Sequence, residues 1–326
     1  MLRLGIIGTG TISHEYIKAA QLSGEYEFTA VYSRTLSAAE RFAQDYKNVA
    51  LYTDMIKFLS ADLDVVYIAS PNSLHFNHAK VAILARKHVI VEKPAVSRPE
   101  EWQELVKLAA EHQVYIFEAA RNYHEAAFAV IRDFLKDKKI WGANFTYAKY
   151  SSKMGALLSG QEPNVFSAKF SGGALMDLGV YTLYAAVRLF GAPQNTCYTA
   201  QQLPNSVDLN GSGSLIYPDF QVRIQAGKNI HSQLPAEIYT DQGTLTLDGI
   251  EFIRSAIFQK LTGETESLAI HQAEHQMLEE AQAFARVLKG GQEELYSDYL
   301  QAATAVHECL FAMRKDAGIR FEVDHD

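Results

Sequence analysis

The sequence predicts two domains of different class: an α/β domain with a parallel, doubly wound sheet, and an α+β domain with a mostly antiparallel sheet. Over roughly the first third of the chain, short apolar segments of β type alternate with helical patterns, which is typical of a parallel sheet covered by helices on both faces. Further along, strand-like segments follow one another with little helix between them, which indicates antiparallel pairing. Because 326 residues suffice for two domains, we place the domains at residues 1–120 and 121–326.

The elements of the first domain follow from apolar runs bounded by helix signals. The expected strands are Leu2–Ile7, Phe28–Ser33, Ala50–Tyr52, Val65–Ala69, Val89–Glu92 and Val114–Phe117. The expected helices are one through Gln21 after the first strand, Ser37–Asp45, a short turn after Thr53, Leu74–Arg86, and Ser97–His112 with a Ser97 and Glu100 capping box. Right-handed crossovers bring the carboxyl ends of all these strands to one edge, so the residues that follow the strands share one rim, where open α/β sheets bind their ligands.

The second domain is expected to contain short strands and two closing helices. The strands are Asn144–Ser151, Thr196–Gln202, Gly213–Tyr217, Phe220–Ala226, Ala236–Thr240 and Thr244–Leu247. Asp241-Gln242-Gly243 reads as a hairpin turn between the last two, and amphipathic helices are expected at Ala273–Lys289 and Asp298–Lys315. The stretch Ser152–Ser171 has no clear periodicity, and we expect it to be a loop that orders over substrate or against a neighbouring subunit.

Composition agrees with a soluble enzyme. The chain is 48% hydrophobic and carries a net charge of −8, which argues against a nucleic-acid surface, and its apolar stretches look too short to cross a bilayer. No secretory signal is visible, since a glycine-rich turn begins by residue 8. Cys197 and Cys309 are far apart and without ligand-spaced neighbours, so neither a disulfide framework nor a metal site is indicated. We expect a cytoplasmic protein with no membrane or nucleic-acid partner.

The first strand runs directly into Gly8-Thr9-Gly10-Thr11-Ile12-Ser13, the pattern G-x-G-x-x-S. The first glycine permits a tight turn, the second lets backbone amides approach a pyrophosphate, and the helix amino terminus favours negative charge. Ser13 stands where Gly or Ala is usual, but it is small enough for close packing. The strand before and the helix after supply the context that a dinucleotide-binding Rossmann fingerprint requires.

Cofactor type depends on the end of the second strand. A Rossmann protein specific for NAD normally carries an acid there, for the ribose 2′-hydroxyl. This chain has Ser33-Arg34-Thr35, and a hydroxyl with a guanidinium suits a 2′-phosphate. We therefore expect NADP, with NAD possible; the alternative is that Arg34 is simply solvated before the helix that Ser37 and Glu40 open.

Two further patterns contain side chains that can take part in catalysis. Glu92-Lys93-Pro94 places an ammonium at the carboxyl end of a strand, although the peptide isomer at Pro94 is not readable from sequence. In the second domain, Gly172–Tyr181 opens a helix that continues to Phe190. Asp177 and Tyr181 are four residues apart there and should lie on one helix face. The alternative for this pair is that Tyr181 packs and Asp177 complements the helix amino end.

Together, Gly8-x-Gly10, Asn72-Ser73-Leu74-His75, Glu92-Lys93-Pro94 and the Gly-Gly-Ala-Leu-Met-Asp-Leu-Gly-Val-Tyr stretch resemble the Gfo/Idh/MocA oxidoreductases over nearly the whole chain. The resemblance implies an α/β Rossmann domain joined to an α+β domain with a large, open, mostly antiparallel sheet, whose free face commonly mediates homodimers or homotetramers. It also implies hydride transfer between nicotinamide C4 and a secondary alcohol or carbonyl of a sugar, polyol, diol or related small compound.

Carried over to this sequence, the resemblance makes Lys93 the catalytic lysine and Asp177 the acid of the second-domain helix. Tyr181 stands where many members have His. A tyrosine at this position resembles the glucose-fructose oxidoreductase and dihydrodiol dehydrogenase branches of the family. It counts against an inositol substrate. Arg121 and His124 lie in a segment that departs from the commoner family patterns, and we leave them outside the core site.

The expected mechanism uses Tyr181 as the acid/base and Lys93 to polarise the reacting oxygen, with Asp177 binding a substrate hydroxyl or steadying Lys93. The reverse, Lys93 as proton donor with Tyr181 orienting the substrate, stays open. Asn72 and His75 are expected at the nicotinamide ribose or the mouth of the substrate site, unless His75 caps the helix near Leu74. The expected cofactor contacts are Gly8, Thr9, Gly10, Thr11, Ile12, Ser33, Arg34, Ser70, Asn72, His75, Glu92 and Lys93.

Two other functions remain open at this point. One is a regulatory protein that keeps the fold, senses a dinucleotide and has lost catalysis; retention of Lys93, Asp177 and Tyr181 favours an enzyme. The other is a different Rossmann dehydrogenase that acts on amino acids or hydroxy acids, which predicts another catalytic constellation and a mostly different second domain.

Overall fold

The computed structural model of the protein describes residues 1–290 and 292–324. The backbone divides into two compact units. The first consists of Met1–Ala119 with Glu274–Gln301, and the second of Ala120–Ala273 with the chain from Ala302 onward.

The first unit is built on a parallel sheet. Its strands are β1 (Leu2–Ile7), β2 (Tyr26–Tyr32), β3 (Ala50–Tyr52), β4 (Val65–Ile68), β5 (His88–Glu92) and β6 (Ile116–Ala119). Its helices are α1 (Thr11–Ser23), α2 (Leu36–Ala43), α3 (Met55–Leu59), α4 (His75–Leu84) and α5 (Pro99–Glu111). In the described part of this unit the sheet has six strands in the order β3-β2-β1-β4-β5-β6, and all neighbours pair in parallel. The predicted doubly wound sheet is confirmed, and the order reverses direction beside β1, where such folds bind ligands.

Two helix starts differ from the sequence interpretation. The helix expected from Ser37 begins at Leu36, and Thr35 is its N-cap, accepting the N–H of Ala38 at 3.4 Å. In α5, Pro99 occupies the first helical turn, so Glu101 rather than Glu100 completes the capping box.

The second unit is built on a mixed but mostly antiparallel sheet. Its strands are β7 (Ile140–Ala148), β8 (Asn195–Gln202), β9 (Asp208–Ile216), β10 (Gln221–Gly227), β11 (Ala236–Thr240), β12 (Gly243–Leu247), β13 (Ala256–Lys260) and β14 (Thr265–Ser267). Its helices are α6 (Ala127–Leu135), α7 (Met154–Leu158) and α8 (Val180–Phe190). Within the described residues this sheet has eight strands in the order β14-β13-β12-β11-β7-β10-β9-β8, and β7 and β10 are parallel. The predicted second sheet is confirmed, and the hairpin at Asp241-Gln242 joins β11 to β12.

The sequence interpretation missed the last two strands. Of β13, only Ala256 and Phe258 are buried, and β14 is exposed throughout. A strand without a buried face carries no apolar alternation, so β14 shows itself only through its pairing with β13.

The stretch Ser152–Ser171 is not the irregular loop that we expected. It contains α7 and two short 3-10 turns, Asn164–Phe166 and Ala168–Phe170. Phe166 and Ser171 are buried, and the Phe166 carbonyl accepts a hydrogen bond from Asn205 Nδ2 at 2.9 Å. A segment anchored in this way gives no support to a mobile lid.

The predicted domain division differs from the structure near the C-terminus. Two helices close the described chain, α9 (Leu278–Leu288) and α10 (Glu293–Asp316), and residues 274–301 pack with the first unit. Phe284 stacks on Phe117 at 4.6 Å between ring centroids, and Tyr26 donates its hydroxyl to the Ala281 carbonyl at 2.9 Å. The apolar face of α9 therefore covers the parallel sheet, which a prediction from chain order alone assigns to the second domain.

One helical stretch, Ala168–Phe190, is long and apolar enough to cross a membrane, with a mean hydropathy of 1.2. This differs from our expectation that no such stretch exists. Of its apolar window, 78% is buried inside the protein, as is typical of a core helix.

Candidate active site

The glycine turn after β1 has the geometry that a dinucleotide requires. Gly8 has a φ of +111°, and a Cβ there would lie 2.4 Å from the Ala69 carbonyl oxygen, so glycine is needed. Gly10 has an ordinary φ of −89°, and a Cβ there would meet no protein atom within 4 Å. Neither packing nor backbone conformation asks for glycine at position 10, whereas the close approach of a pyrophosphate does.

Ser13 replaces the usual Gly or Ala without disturbing this turn. Its hydroxyl donates to the Gly8 carbonyl at 2.9 Å, so the substitution adds a bond that closes the turn. Thr9 lies in the turn, and Thr11 and Ile12 open α1. The first N–H groups of α1 are thus available where the fingerprint predicts a phosphate site.

Ser33 and Arg34 follow β2 as predicted, and Arg34 is exposed. Nearby in the fold, a cleft of about 210 Å³ is lined by Thr9, His14, Ala38, Arg41 and Phe42. Arg41 lies on α2 and was not predicted, because it resembled any charged residue of an amphipathic helix. The cleft joins the glycine turn to a guanidinium.

The turn that carries Lys93 is held by three buried side chains, one for each consecutive residue. The Glu92 carboxylate accepts the Lys93 N–H at 3.1 Å, His75 Nδ1 lies 2.9 Å from the Pro94 carbonyl, and Glu118 Oε1 accepts the Ala95 N–H at 3.0 Å. The peptide between Lys93 and Pro94 is cis. Lys93 itself is half-buried and directly follows β5, so the contacts to its own and the next two residues fix the backbone that carries the ammonium.

His75 makes contacts that the sequence did not indicate. It is buried at the first position of α4 and bridges two backbone carbonyls, Pro94 at 2.9 Å and Ser70 at 2.6 Å from Nε2. Burial lowers the pKa of His75, and a neutral imidazole can donate to only one of these carbonyls at a time. His75 therefore supports the Lys93 turn, and Leu74 rather than His75 is the N-cap of α4; its predicted contact near the cofactor stays a prediction.

Glu92 was expected to contact the cofactor, and its surroundings point to an internal role instead. Its carboxylate is buried and accepts the Tyr67 hydroxyl at 2.5 Å as well as the Lys93 N–H. Burial, together with the neighbouring Glu92 charge, raises the pKa of Tyr67, which therefore remains a donor. Glu118, which the sequence did not single out, completes the same support.

Ser70 and Asn72 follow β4 and lie on the same carboxyl edge as Gly8, Ser33 and Lys93. The Ser70 hydroxyl pairs with His78 Nδ1 at 2.9 Å. Burial, and to a smaller extent the neighbouring His75, lowers the pKa of His78 to about 4. The structure thus brings the predicted rim residues of the first unit together.

In the second unit, Asp177 and Tyr181 lie on a helix that begins with an unusual turn. Leu175–Gly179 is π-helical and continues into α8, whereas we expected an α-helix throughout. Gly173, at φ +120°, leaves no room for a Cβ because Asp208 Oδ1 would lie 2.1 Å away. Asp208 is buried and accepts the Leu175 N–H at 2.8 Å, so a carboxylate from β9 anchors the start of this helix.

Tyr181 is buried except for a small part, and three residues fix it. The Arg121 guanidinium lies 5.0 Å from the centre of its ring, and the Tyr147 ring packs edge-on at 5.3 Å. Asn122 Nδ2 donates to the Tyr181 carbonyl at 3.0 Å. We had left Arg121 outside the core site, and the structure shows that its guanidinium contacts the ring of the predicted site residue Tyr181.

Asp177 forms an ion pair with Lys228, which directly follows β10. The sequence offered no signal for Lys228, because it lies 51 residues away and in a strand-to-loop junction. Among residues 1–290 and 292–324, no cluster of three or more His, Cys, Asp or Glu side chains is arranged to hold a metal ion.

Two family models match the chain, one in each predicted domain. Residues 2–120 match a family model described as an oxidoreductase family with an NAD-binding Rossmann fold, and residues 139–246 match a GFO/IDH/MocA C-terminal domain. The uncharacterized oxidoreductase YgjR of Escherichia coli K12 is 35% identical, and the alignment covers 99% of each chain. The chain belongs to the Gfo/Idh/MocA oxidoreductase family. The nicotinamide dinucleotide site that Gly8 and Gly10 indicate is therefore a property of the family.

Two other Gfo/Idh/MocA proteins extend the comparison. The scyllo-inositol 2-dehydrogenase (NADP(+)) IolU of Bacillus subtilis is 32% identical over 99% of each chain. KijD10, a 3-ketoreductase from Actinomadura kijaniata whose crystal structure contains NADP and TDP-benzene, aligns with a TM-score of 0.84 at 22% identity over 97% of each chain. The structural likeness shows that the fold extends over the whole chain.

Proposed function

We propose that this protein is an NADP-preferring enzyme that transfers a hydride between nicotinamide C4 and a secondary alcohol or carbonyl carbon of a cyclic polyol, sugar or related diol. The observation that carries the proposal is the turn at Lys93. Three buried side chains fix its backbone directly after β5, at the carboxyl edge of the sheet where open α/β sheets bind their ligands. A fixed backbone preorganises the Lys93 ammonium to stabilise the negative charge that develops on the reacting oxygen.

The proposed preference for NADP rests on the end of β2. Arg34 is exposed there, Arg41 lines the adjoining cleft, and no carboxylate follows the strand in Ser33-Arg34-Thr35. A guanidinium binds a 2′-phosphate well, whereas a carboxylate would repel it. The family relative IolU is named as NADP-dependent, which supports the same choice.

The cofactor, when bound, supplies or accepts the hydride. Tyr181 is the proposed proton donor and acceptor for the reacting oxygen, and the Arg121 guanidinium on its ring stabilises the phenolate that forms when the proton leaves. Lys93 is proposed to polarise the same oxygen. The reverse assignment of these two roles is a second version of the proposal, and the two versions give different variant kinetics.

The substrate class is proposed from the family and from Asp177, whose partly exposed carboxylate suits a hydroxyl of the substrate. The full-length relative IolU acts on an inositol. For that reason the earlier expectation that Tyr181 counts against an inositol is not carried into the proposal, and inositols stand first among the compounds to be tested.

Homo-oligomerisation through the second-unit sheet and a cytoplasmic location also remain proposals. In β10, Gln221 and Arg223 are exposed while Val222 and Ile224 are buried, so the sheet keeps one face open. Light scattering coupled to size exclusion tests the first of these; a monomer at micromolar concentration would contradict it.

The central experiment is a substrate panel. Purified protein is mixed with NADP or NADPH and with inositols, keto-inositols, sugars, keto-sugars, diols and dicarbonyls, and the absorbance of the reduced cofactor is followed. We expect turnover with at least one cyclic polyol or its ketone and a clearly lower KM for NADPH than for NADH. Tight cofactor binding without turnover on any compound would instead support the dinucleotide-sensing regulator.

A further inference from the structure

Lys228 is a buried charge in contact with a residue of the proposed site. Its side chain is 5% exposed, and it forms an ion pair with Asp177, whose side chain is 33% exposed. Asp177 therefore reaches the surface of the site while Lys228 lies behind it.

Hydrogen bonds hold the backbone of Lys228 on both sides. The Lys228 N–H donates to the Leu209 carbonyl at 2.7 Å, and its carbonyl accepts the Ser151 N–H at 2.8 Å. The ammonium lies 5.7 Å from the centre of the Phe166 ring, where an aromatic face partly compensates the loss of water.

A buried ion pair of this kind is poor evidence for stability. Desolvation of two charges costs several kcal/mol, and well-packed apolar residues are often as stabilising or more so. What the pair does achieve is chemical: an ammonium in low dielectric keeps its carboxylate partner ionised and fixed in direction. An ionised carboxylate accepts hydrogen bonds and cannot donate a proton.

We propose that Lys228 is a positioning residue that holds Asp177 as a permanently ionised acceptor for a substrate hydroxyl next to the reacting carbon. The inference rests on the proposed function, because it assigns a role within the same site. It selects substrate binding from the two roles expected for Asp177 and leaves proton transfer to Tyr181 or Lys93. It also predicts that the preferred substrate carries a hydroxyl beside the group that is oxidised or reduced.

Other ionisable groups on the elements packed against the Asp177 helix must be considered in any pH experiment. They are Asp208 at the start of β9, Tyr147 on β7, and Tyr181 with Arg121 over its ring. Burial raises the pKa of Asp208. A probe that reports each carboxyl separately is therefore needed to distinguish the titration of Asp208 from that of Asp177.

The kinetic test compares Lys228→Met, Lys228→Arg, Asp177→Asn and the double variant with the wild type on the substrate found by the panel. We expect Lys228→Met to raise KM about 10-fold or more and to give kcat/KM a new fall towards acidic pH, as Asp177 takes up a proton. Lys228→Arg should restore most of the activity. The double variant should be no worse than Asp177→Asn, because both changes remove one function.

Lys260→Met is the matched control, since it removes an exposed lysine–carboxylate pair, with Glu264, from the same unit. It should leave KM and the pH profile unchanged. An unchanged KM and pH profile in Lys228→Met, with the wild type active, would overturn the positioning role but not the proposed function. A wild type inactive on every compound contradicts the proposed function first.

A second measurement needs no turnover. In protein labelled with ¹³C at aspartate carboxyls, the Asp177 signal, assigned from Asp177→Asn, should stay that of a carboxylate from about pH 8 down to about pH 3 in the wild type and titrate at a higher pH in Lys228→Met. A thermal melt shows whether Lys228→Met remains folded. The double variant, which lacks both charges, shows whether any loss of stability comes from the unpaired Asp177 carboxylate. Identical titration of Asp177 in both proteins would overturn the proposal.

Discussion

The two units hold their proposed catalytic groups in different ways. Lys93 is held through its backbone: three neighbouring peptide groups are bound by Glu92, His75 and Glu118. The side chains of Tyr181 and Asp177 are themselves contacted by residues that are distant in the sequence, Tyr181 by Arg121 and Tyr147 and Asp177 by Lys228. The first arrangement resists substitution of the side chain, whereas the second depends on each contact.

The largest effect should come from Lys93→Met. Because the turn is fixed by backbone contacts, removal of the ammonium should leave the fold and cofactor binding intact while kcat falls by about 10²–10⁴-fold. The measurements are steady-state kinetics and NADPH binding by fluorescence. Lys107→Met, an exposed lysine of the same unit, is the control, and near-normal kcat in Lys93→Met would refute the assignment.

Tyr181→Phe comes next. It removes only the hydroxyl, and we expect kcat to fall about 10²-fold if Tyr181 moves the proton. Arg121→Met should have a smaller effect and move the acidic limb of alcohol oxidation to higher pH, because the phenolate that accepts the proton loses the cation on its ring. If Tyr181→Phe changes KM and not kcat, the reverse assignment with Lys93 as proton donor gains support.

Arg34→Ala should affect the cofactor alone. We expect KM for NADPH to rise about 10-fold with kcat nearly unchanged and KM for NADH unaffected, since only the 2′-phosphate contact is lost. Arg41→Ala, from the cleft beside the glycine turn, should show the same pattern to a lesser degree. A wild-type preference for NADH would contradict the NADP assignment.

Acid stability should give the smallest effect and separates the units. Burial lowers the pKa of His75, His78 and His88 in the first unit, so the unfolded chain binds these protons first. Their contribution to stability is therefore complete above about pH 6.5 and is lost as the pH falls towards the folded pKa values.

We expect the unfolding transition of the first unit to move down by roughly 5 °C between pH 7 and pH 5 in a calorimetric scan. His78→Gln should reduce the shift. Asp208 in the second unit has the opposite sign: burial raises its pKa, so protonation at low pH favours the folded form. A flat transition temperature for the first unit would contradict this account.

The sequence was sufficient where a function depends on a local turn. Gly8, Gly10, Ser33 and Lys93 each follow a strand, and right-handed crossovers place them on one edge without further information. The type of both sheets and most strand positions followed from apolar periodicity, whereas the strand order came from the structure. β14 escaped because its exposed residues carry no such pattern.

The sequence was insufficient where function depends on long-range contacts. Nothing in the pattern around Lys228 or Asp208 links them to Asp177 and its helix, since the pairing exists only after β9 and β10 pack on that helix. The same reason explains why α9 was assigned to the second domain and why the contacts by which Glu92 and His75 support the Lys93 turn were not predicted.

Hydride transfer itself is tested most directly with NADPH that carries deuterium in both positions at C4. With a ketone substrate from the panel, the account predicts one deuterium in each alcohol product at the reduced carbon, found by mass spectrometry, and no transfer in Lys93→Met. A product without deuterium, or NADPH that is never consumed on any substrate, would contradict the central claim.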